Sequence, residues 1–290
     1  MTTPTLAVTG STGRLGGRVA SRLAAAGVRQ RLIVRDPARV PSLALTEVAA
    51  AEYGDPDAGR GALANIRTLF MVSGSETPDR VDQHRTFVDA AVAAGVEHVV
   101  YLSFYGAAPD ATFTLARDHW ATEQHIRSSG LQWTFLRDNL YLDFFPAMVG
   151  ADGMIRGPAG DGRVAAVAQD DIADVATAIL RDPTAHQERT YDLTGPEALT
   201  MSEVADQLSW ATERVVGYIP ETLDEAYRSR AHYGAPEWQV DAWVSTYTAI
   251  AVGELAEPTD TVERIAGHAP ASLADLLLKR ASDLRLGSAL

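Results

Sequence analysis

The chain has no cysteine and a single lysine, Lys279. Without cysteine there can be no disulfide, no cysteine–zinc site and no thiol nucleophile. With one lysine near its end, the chain cannot carry a Tyr-x-x-x-Lys pair, in which lysine lowers a tyrosine pKa so that the phenol can move a proton to or from an alcohol. No apolar run approaches the roughly 20 residues of a membrane span. The first residues lack the basic region and cleavage site of a secretory signal, so a cytoplasmic protein is expected. Positive charge is scarce as well: the net charge is −13. That argues against general nucleic-acid binding and requires any bound polyphosphate to meet a local positive cluster. No Gly-x-Ser-x-Gly elbow points to a hydrolase, and the scattered histidines form no His-Glu-x-x-His metal motif.

The informative stretch is the start. Thr5–Thr9 is a short apolar run that reads as a buried strand, and Gly10, Gly13 and Gly16 follow at spacing three. An amphipathic helix then reads from about Leu15 to Ala26, with Leu15, Val19 and Leu23 on one face. Strand, glycine-rich turn and helix in this order make a dinucleotide-binding unit. Gly10 permits the tight turn, Gly13 admits a pyrophosphate, and Gly16 lets the helix pack on the strand. Thr12, Arg14 and Leu15 complete the candidate phosphate-binding turn. The bland alternative is a βα turn that uses glycine only for its backbone freedom.

Strand-like and helix-like segments alternate through the first half. Strands read at Arg31–Val34, Glu47–Ala51, Thr68–Val72, His98–Leu102 and Trp133–Leu136, and helices at Gly61–Asn65, Arg80–Ala94 and Arg117–Ser129. The pattern predicts an α/β fold: a doubly wound parallel Rossmann sheet with helices on both faces. Gly27, Gly95 and Gly130 fall where helices end in a left-handed residue. The pattern changes after Asn139. Ala151–Gly162, rich in glycine, reads as a loop or hairpin, Val164–Ala168 as a strand, and Asp170-Asp171 as the cap of a helix to about Leu180. Thr190–Leu193 and Val215–Ile219 read as further strands in a mainly helical remainder. The expected division is a dinucleotide-binding domain over residues 1–139, with 164–194 returning to it. A smaller, mostly helical substrate domain would take 140–163 and 195–290. Oligomeric state is not readable.

The second strand ends Val34-Arg35-Asp36-Pro37. NAD-specific sites place an acid here for the ribose hydroxyls, and NADP sites place arginine for the 2′-phosphate. Arg35 occupies the position, and its planar fork suits phosphate. Arg14 and Arg39 are secondary candidates. Asp36 reads as a helix cap followed by proline. NADP(H) is therefore the expected cofactor.

In Leu115-Ala-Arg-Asp-His119-Trp-Ala-Thr-Glu123, His119 stands in the lysine place and Leu115 in the tyrosine place of the missing pair. The chain resembles the NmrA-like atypical short-chain dehydrogenase/reductases, in particular their NADPH:quinone reductase and triphenylmethane-dye reductase branch. The resemblance covers nearly the whole length. It is carried by Val8–Gly16, Val34–Pro37, Val72-Ser-Gly-Ser-Glu76, Gln83-His84-Arg85, Leu115–Ile126, Thr134–Tyr141 and Asp260–Gly267. It implies an NADPH-binding Rossmann domain, a smaller C-terminal domain, and acceptors that take hydride directly. Quinones and cationic triarylmethane dyes do so without an essential acid at the attacked carbon.

Ends of strands past the switch point line the cofactor cleft in such sheets. Val72, Ser73 and Gly74 are expected beneath the nicotinamide ribose, with Ser103, Phe104 and Tyr105 flanking the ring. His119, Tyr141 and Ser103 are the candidate catalytic residues, with His119 donating to a ribose hydroxyl or to a quinone oxygen. Tyr105, Asn139, Tyr141 and Phe144 are the candidate substrate contacts. Each also has a structural alternative: a satisfied helix histidine, a turn cap, or packing aromatics with a bonded tip. The favoured activity is NADPH-dependent hydride transfer to a quinone or similar conjugated aromatic acceptor. The alternative is a non-catalytic dinucleotide-binding redox sensor of the NmrA type.

Overall fold

Strand β1 (Leu6–Thr9) is buried at every position. A parallel strand covered by helices on both faces has no solvent side, so it reads as a continuous apolar run. In the computed structural model, which describes residues 4–287, β1 is followed by α1 (Arg14–Ala25), β2 (Gln30–Val34), β3 (Thr46–Ala50), α2 (Pro56–Ala62) and β4 (Thr68–Val72). Next come α3 (Arg80–Ala93), β5 (His98–Phe104), α4 (Thr114–Ser128), β6 (Gln132–Asp138), β7 (Met154–Gly157) and β8 (Arg163–Val164). The chain continues through α5 (Gln169–Arg181), β9 (Arg189–Leu193), β10 (Leu199–Thr200), α6 (Met201–Thr212) and β11 (Gly217–Pro220). It closes with α7 (Leu223–Arg230), α8 (Glu237–Ala251), α9 (Thr261–Ala266) and α10 (Leu273–Gly287).

Seven strands form one sheet in the order β3-β2-β1-β4-β5-β6-β9. Neighbours from β3 through to β6 pair in parallel. This is the doubly wound Rossmann arrangement expected from the alternation. Its order reverses at β1, so the carboxyl ends of β1 and β4 mark the switch point where such sheets bind ligands. Phe87, Tyr101, Ile126 and Phe135 are fully buried in the core beside the sheet. Gly27, Gly95 and Gly130 hold φ of +75°, +80° and +84°, the left-handed helix ends that the sequence predicts.

The chain forms two compact units. The first runs to Pro109 and adds Ala116–Asp138 and Ile172–Asp192; the second takes Asp110–Leu115, Asn139–Asp171 and the chain from Leu193. Residues 164–171, expected with the sheet, cluster with the second unit. Their backbone explains it: Ala165 N–H donates to Leu255 O at 2.8 Å and Val167 N–H to Leu140 O at 2.8 Å.

Local readings differ in four places. Helix α2 starts at Pro56 rather than Gly61, because Asp55 caps it by accepting from Asp57 N and Ala58 N. Ala151–Gly162 is not a hairpin: its strand β7 pairs in parallel with the distant β11. The strand expected at Val164–Ala168 shortens to β8, antiparallel to β10. Asp170 and Asp171 lie in the first turn of α5, and the buried Asp143 accepts from Gln169 N at 2.9 Å.

Candidate functional site

The glycine turn leaves β1 through Gly10 at φ +65°. Gly13 N–H closes it on Gly10 O at 2.9 Å. A Cβ on Gly16 would lie 2.4 Å from Gly10 O, so only glycine lets α1 pass this close. Leu15 is buried and anchors the helix, while Thr12, Gly13 and Arg14 are exposed. Gly13 is the N-cap of α1 and supplies no side-chain acceptor; the first turn holds no acidic residue. The opening N–H groups of α1 therefore keep the positive end of the helix available to an anion. Ser11 is buried in the same turn, and its hydroxyl has no partner among the described residues.

Arg35 follows β2 directly and is exposed. The neighbouring Asp36 carboxylate is engaged locally. It accepts from Ala38 N at 3.0 Å and caps the short 3-10 turn Pro37–Arg39. Among the described residues no acid pairs with the guanidinium of Arg35, Arg14 or Arg39.

The ends of β1 and β4 are tied together by side chains. The Tyr53 hydroxyl donates to Val72 O at 2.5 Å. Thr9 Oγ1 accepts from Val72 N at 2.9 Å and lies 2.6 Å from the Tyr53 oxygen. The phenolic hydrogen points at Val72 O, and the single Thr9 hydroxyl hydrogen is shared between the Tyr53 oxygen and Phe70 O, 3.3 Å away. Burial pushes the Tyr53 pKa up, so the phenol stays protonated and keeps that bond. Val72, Ser73 and Gly74 are half-buried at the carboxyl end of β4.

His84 on α3 holds the next residue. Its Nε2 accepts from Gly74 N at 2.8 Å, and its Nδ1 lies 2.9 Å from Thr122 Oγ1 on α4. Accepting at Nε2 fixes the proton on Nδ1, which donates to Thr122; Thr122 passes its own hydrogen to Asp118 O at 2.8 Å. Burial, with Arg80 nearby, lowers the His84 pKa to about 3, which keeps the ring neutral. The sequence places His84 on a helix but gives no sign that it bridges two other segments.

His119 is buried, and both ring nitrogens are engaged. Arg80 donates to Nε2 at 2.9 Å, and Nδ1 lies 3.0 Å from the Tyr101 hydroxyl. Arginine can only donate, so Nε2 is an acceptor and the single ring proton sits on Nδ1 towards Tyr101. Burial first, then Arg80, His84 and Arg137, hold the His119 pKa well below its usual value. The expectation of a proton-donating His119 is therefore corrected: its single ring proton is directed inward, to Tyr101. Ser103 is corrected in the same way. It is fully buried and donates to Glu123 Oε1 at 2.6 Å. Glu123 in turn takes Arg137 in a fork, Nε at 2.8 Å and NH2 at 2.6 Å. Phe104 is buried, while Tyr105 is half-buried and its N–H donates to Asp138 O at 2.9 Å.

Asn139, Tyr141 and Phe144 belong to the second unit. Asn139 is fully buried. Its amide donates to Leu255 O at 3.0 Å and its side-chain oxygen accepts from Leu140 N at 2.8 Å. It braces the backbone, which corrects its expected role as a substrate contact. Tyr141 is half-buried and bridges to Val167. Phe144 is 58% exposed and lines a cavity of about 860 Å³ formed wholly within this unit. Trp243, Tyr247, Tyr233, Arg156 and Arg230 share that lining. The sequence reading missed these five, because they come from β7, α7, α8 and the turn before α8, and no local motif joins them.

The chain is 32% identical over 273 residues to an NAD(P)H azoreductase of Xenophilus azovorans, covering 92% of this chain and 95% of that one. It is 35% identical over 268 residues to the (4-alkanoyl-5-oxo-2,5-dihydrofuran-3-yl)methyl phosphate reductase of Streptomyces griseus, covering 90% and 92%. Among solved structures it is similar to the NADPH-dependent quinone oxidoreductase of Escherichia coli complexed with NADPH. The TM-score is 0.86 at 30% identity, over 94% of this chain and 99% of the other. The family model of the NmrA-like family matches residues 2–230, and the chain belongs to that family.

Proposed function

We propose that this protein is an NADPH-dependent oxidoreductase that reduces a quinone or similar conjugated acceptor. The observation that carries the reading is the switch-point turn together with Arg35. The turn has no Cβ at Gly16, an uncapped α1 and the orphaned Ser11 hydroxyl; among the described residues Arg35 pairs with no acid, the adjacent Asp36 being used as a cap. Those features fit a dinucleotide: the N–H groups of α1 would take its pyrophosphate, and Arg35, helped by Arg14, would take the 2′-phosphate. The relatives support the same class by the cofactors and acceptors in their names.

Bound NADPH supplies a hydride. The residues of this chain supply position. Thr9, Tyr53 and His84 fix the backbone of Val72–Gly74, the strand end expected to run beneath the nicotinamide ribose. His119 and Ser103 direct their protons inward, to Tyr101 and Glu123, so they position neighbours. An acceptor that stabilises its own developing oxyanion needs little help from an enzyme acid. The one lysine, Lys279, pairs with Asp170 at 3.0 Å, and the residue four places before it is Asp275 rather than tyrosine.

The test is direct. The protein is given NADPH and a simple quinone, and the loss of reduced-nicotinamide absorbance is followed. Turnover is expected. Tight NADPH binding with no turnover across quinones, azo compounds, dyes and enones would favour the redox-sensor alternative.

A further inference from the structure

The cavity of the second unit is large enough for a two-ring ligand. Its aromatic walls are closely fitted. The Tyr247 ring lies flat against Gly157, where a Cβ would sit 2.3 Å from Cδ1. Tyr233 meets Trp243 edge-on, with centroids 5.7 Å apart at 80°. Two guanidinium groups also face the space, and neither is free. Arg230 pairs with Glu221 at 2.9 Å, with only 10% and 7% of the two side chains exposed. Its NH1 also donates to Ala226 O and Ser229 Oγ, and its NH2 to Arg156 O. Arg156 is held in a fork by Asp152, at 2.6 and 3.0 Å. Hydrogen bonds from Arg156 lower the Asp152 pKa to about 2, so this carboxylate is charged at any working pH.

The cavity thus offers aromatic faces and polarised N–H edges but no uncompensated positive charge. An entering phosphate or sulfonate would compete with Asp152 for Arg156 and be repelled by it. A neutral carbonyl keeps the stacking surfaces and disturbs no ion pair.

We propose that this cavity takes a neutral, flat, carbonyl-bearing ring system, and that Asp152 sets its charge selectivity by occupying Arg156. Calling the occupant the hydride acceptor rests on the oxidoreductase reading; the binding selectivity does not. The Streptomyces griseus relative is named for a phosphate ester, a charged class of ligand that this selectivity would disfavour here.

The experiment measures binding without NADPH, by calorimetry, using a naphthoquinone and its sulfonate. The wild-type protein should bind the neutral compound at least about tenfold more tightly. Asp152→Asn should strengthen sulfonate binding by about tenfold at low salt, with the gain fading as ionic strength rises, and leave the neutral compound within about twofold. Trp243→Leu should weaken the neutral compound about tenfold by removing a stacking face. Equal wild-type affinity for both compounds overturns the proposal, as does an Asp152→Asn variant that changes both alike or neither. Selective binding without turnover would sink the oxidoreductase reading and leave the cavity assignment standing.

Discussion

The ring of His84 accepts a hydrogen bond from the backbone N–H of Gly74 at 2.8 Å. A side chain on α3 thereby fixes the strand end expected beneath the nicotinamide. The bond needs a neutral ring, because a protonated imidazole has no lone pair left to accept with.

Acid should therefore loosen this unit before it reaches the carboxylates. The folded-state pKa of His84 is about 3, against an ordinary value of 6.5. A depressed folded pKa means that the unfolded chain binds the proton first. The stabilisation is complete above about pH 6.5 and is lost as pH falls towards 3. At pH 5 the loss is roughly 2 kcal/mol, from about 1.4 kcal/mol per unit. His98, lowered to about 4 by burial, adds to it with the same sign. Urea denaturation at about pH 7.5 and pH 5 measures this loss. His84→Gln, which keeps an acceptor for Gly74, should show a shallower pH dependence. An unchanged slope would mean that His84 does not titrate as its burial demands.

Cofactor preference should follow Arg35. Arg35→Asp replaces a phosphate partner by a like charge, costing on the order of 2–4 kcal/mol in NADPH binding. NADH binding should change far less. Titration of both dinucleotides decides it, and an equal loss for both would remove Arg35 from the 2′-phosphate site.

His119 should show itself in stability more than in proton transfer. His119→Ala strips a partner from the buried Arg80 and from Tyr101, which should cost about 3 kcal/mol. Turnover at saturating NADPH should fall by less than about tenfold, below the usual range for a lost general acid. The pH–rate profile should carry no limb that disappears in His119→Gln. If such a limb near neutrality vanishes in that variant, His119 is an acid after all.

Gly157 should tolerate no side chain. Gly157→Ala puts a methyl group within 2.3 Å of the Tyr247 ring, and overpacking of this kind costs about 1–3 kcal/mol. The same substitution in a Tyr247→Ala background should be nearly silent. Thermal or chemical denaturation of the four proteins in this cycle gives the coupling.

The sheet is legible in the sequence because its signals are local. Val8–Gly16 carries a strand, a turn and a helix start in succession, and Gly16 permits the close approach that spacing predicts. Arg35 and Asp36 are equally readable, since a cap and a strand end are nearest-neighbour facts. The sequence puts His119 on the right helix but misleads about its role. Its partners, Arg80 and Tyr101, lie 39 and 18 residues away, and only packing reveals that both nitrogens are engaged. Asn139 misleads for the same reason, its amide being used by Leu255 O across 116 residues. The cavity is invisible in the sequence because Gly157 and Tyr247 have meaning only as a pair.

The pairing of the one lysine with Asp170, in a chain without cysteine, bears on durability. Quinones are electrophiles that arylate thiolates and free amines, and thiolates react fastest. A catalyst that meets them at every turnover risks being consumed by what it handles. This chain offers no sulfhydryl and almost no amine for such adducts, and its cationic side chains are nearly all guanidinium groups, which stay protonated. Its surface is chemically quiet towards the compounds proposed to enter it.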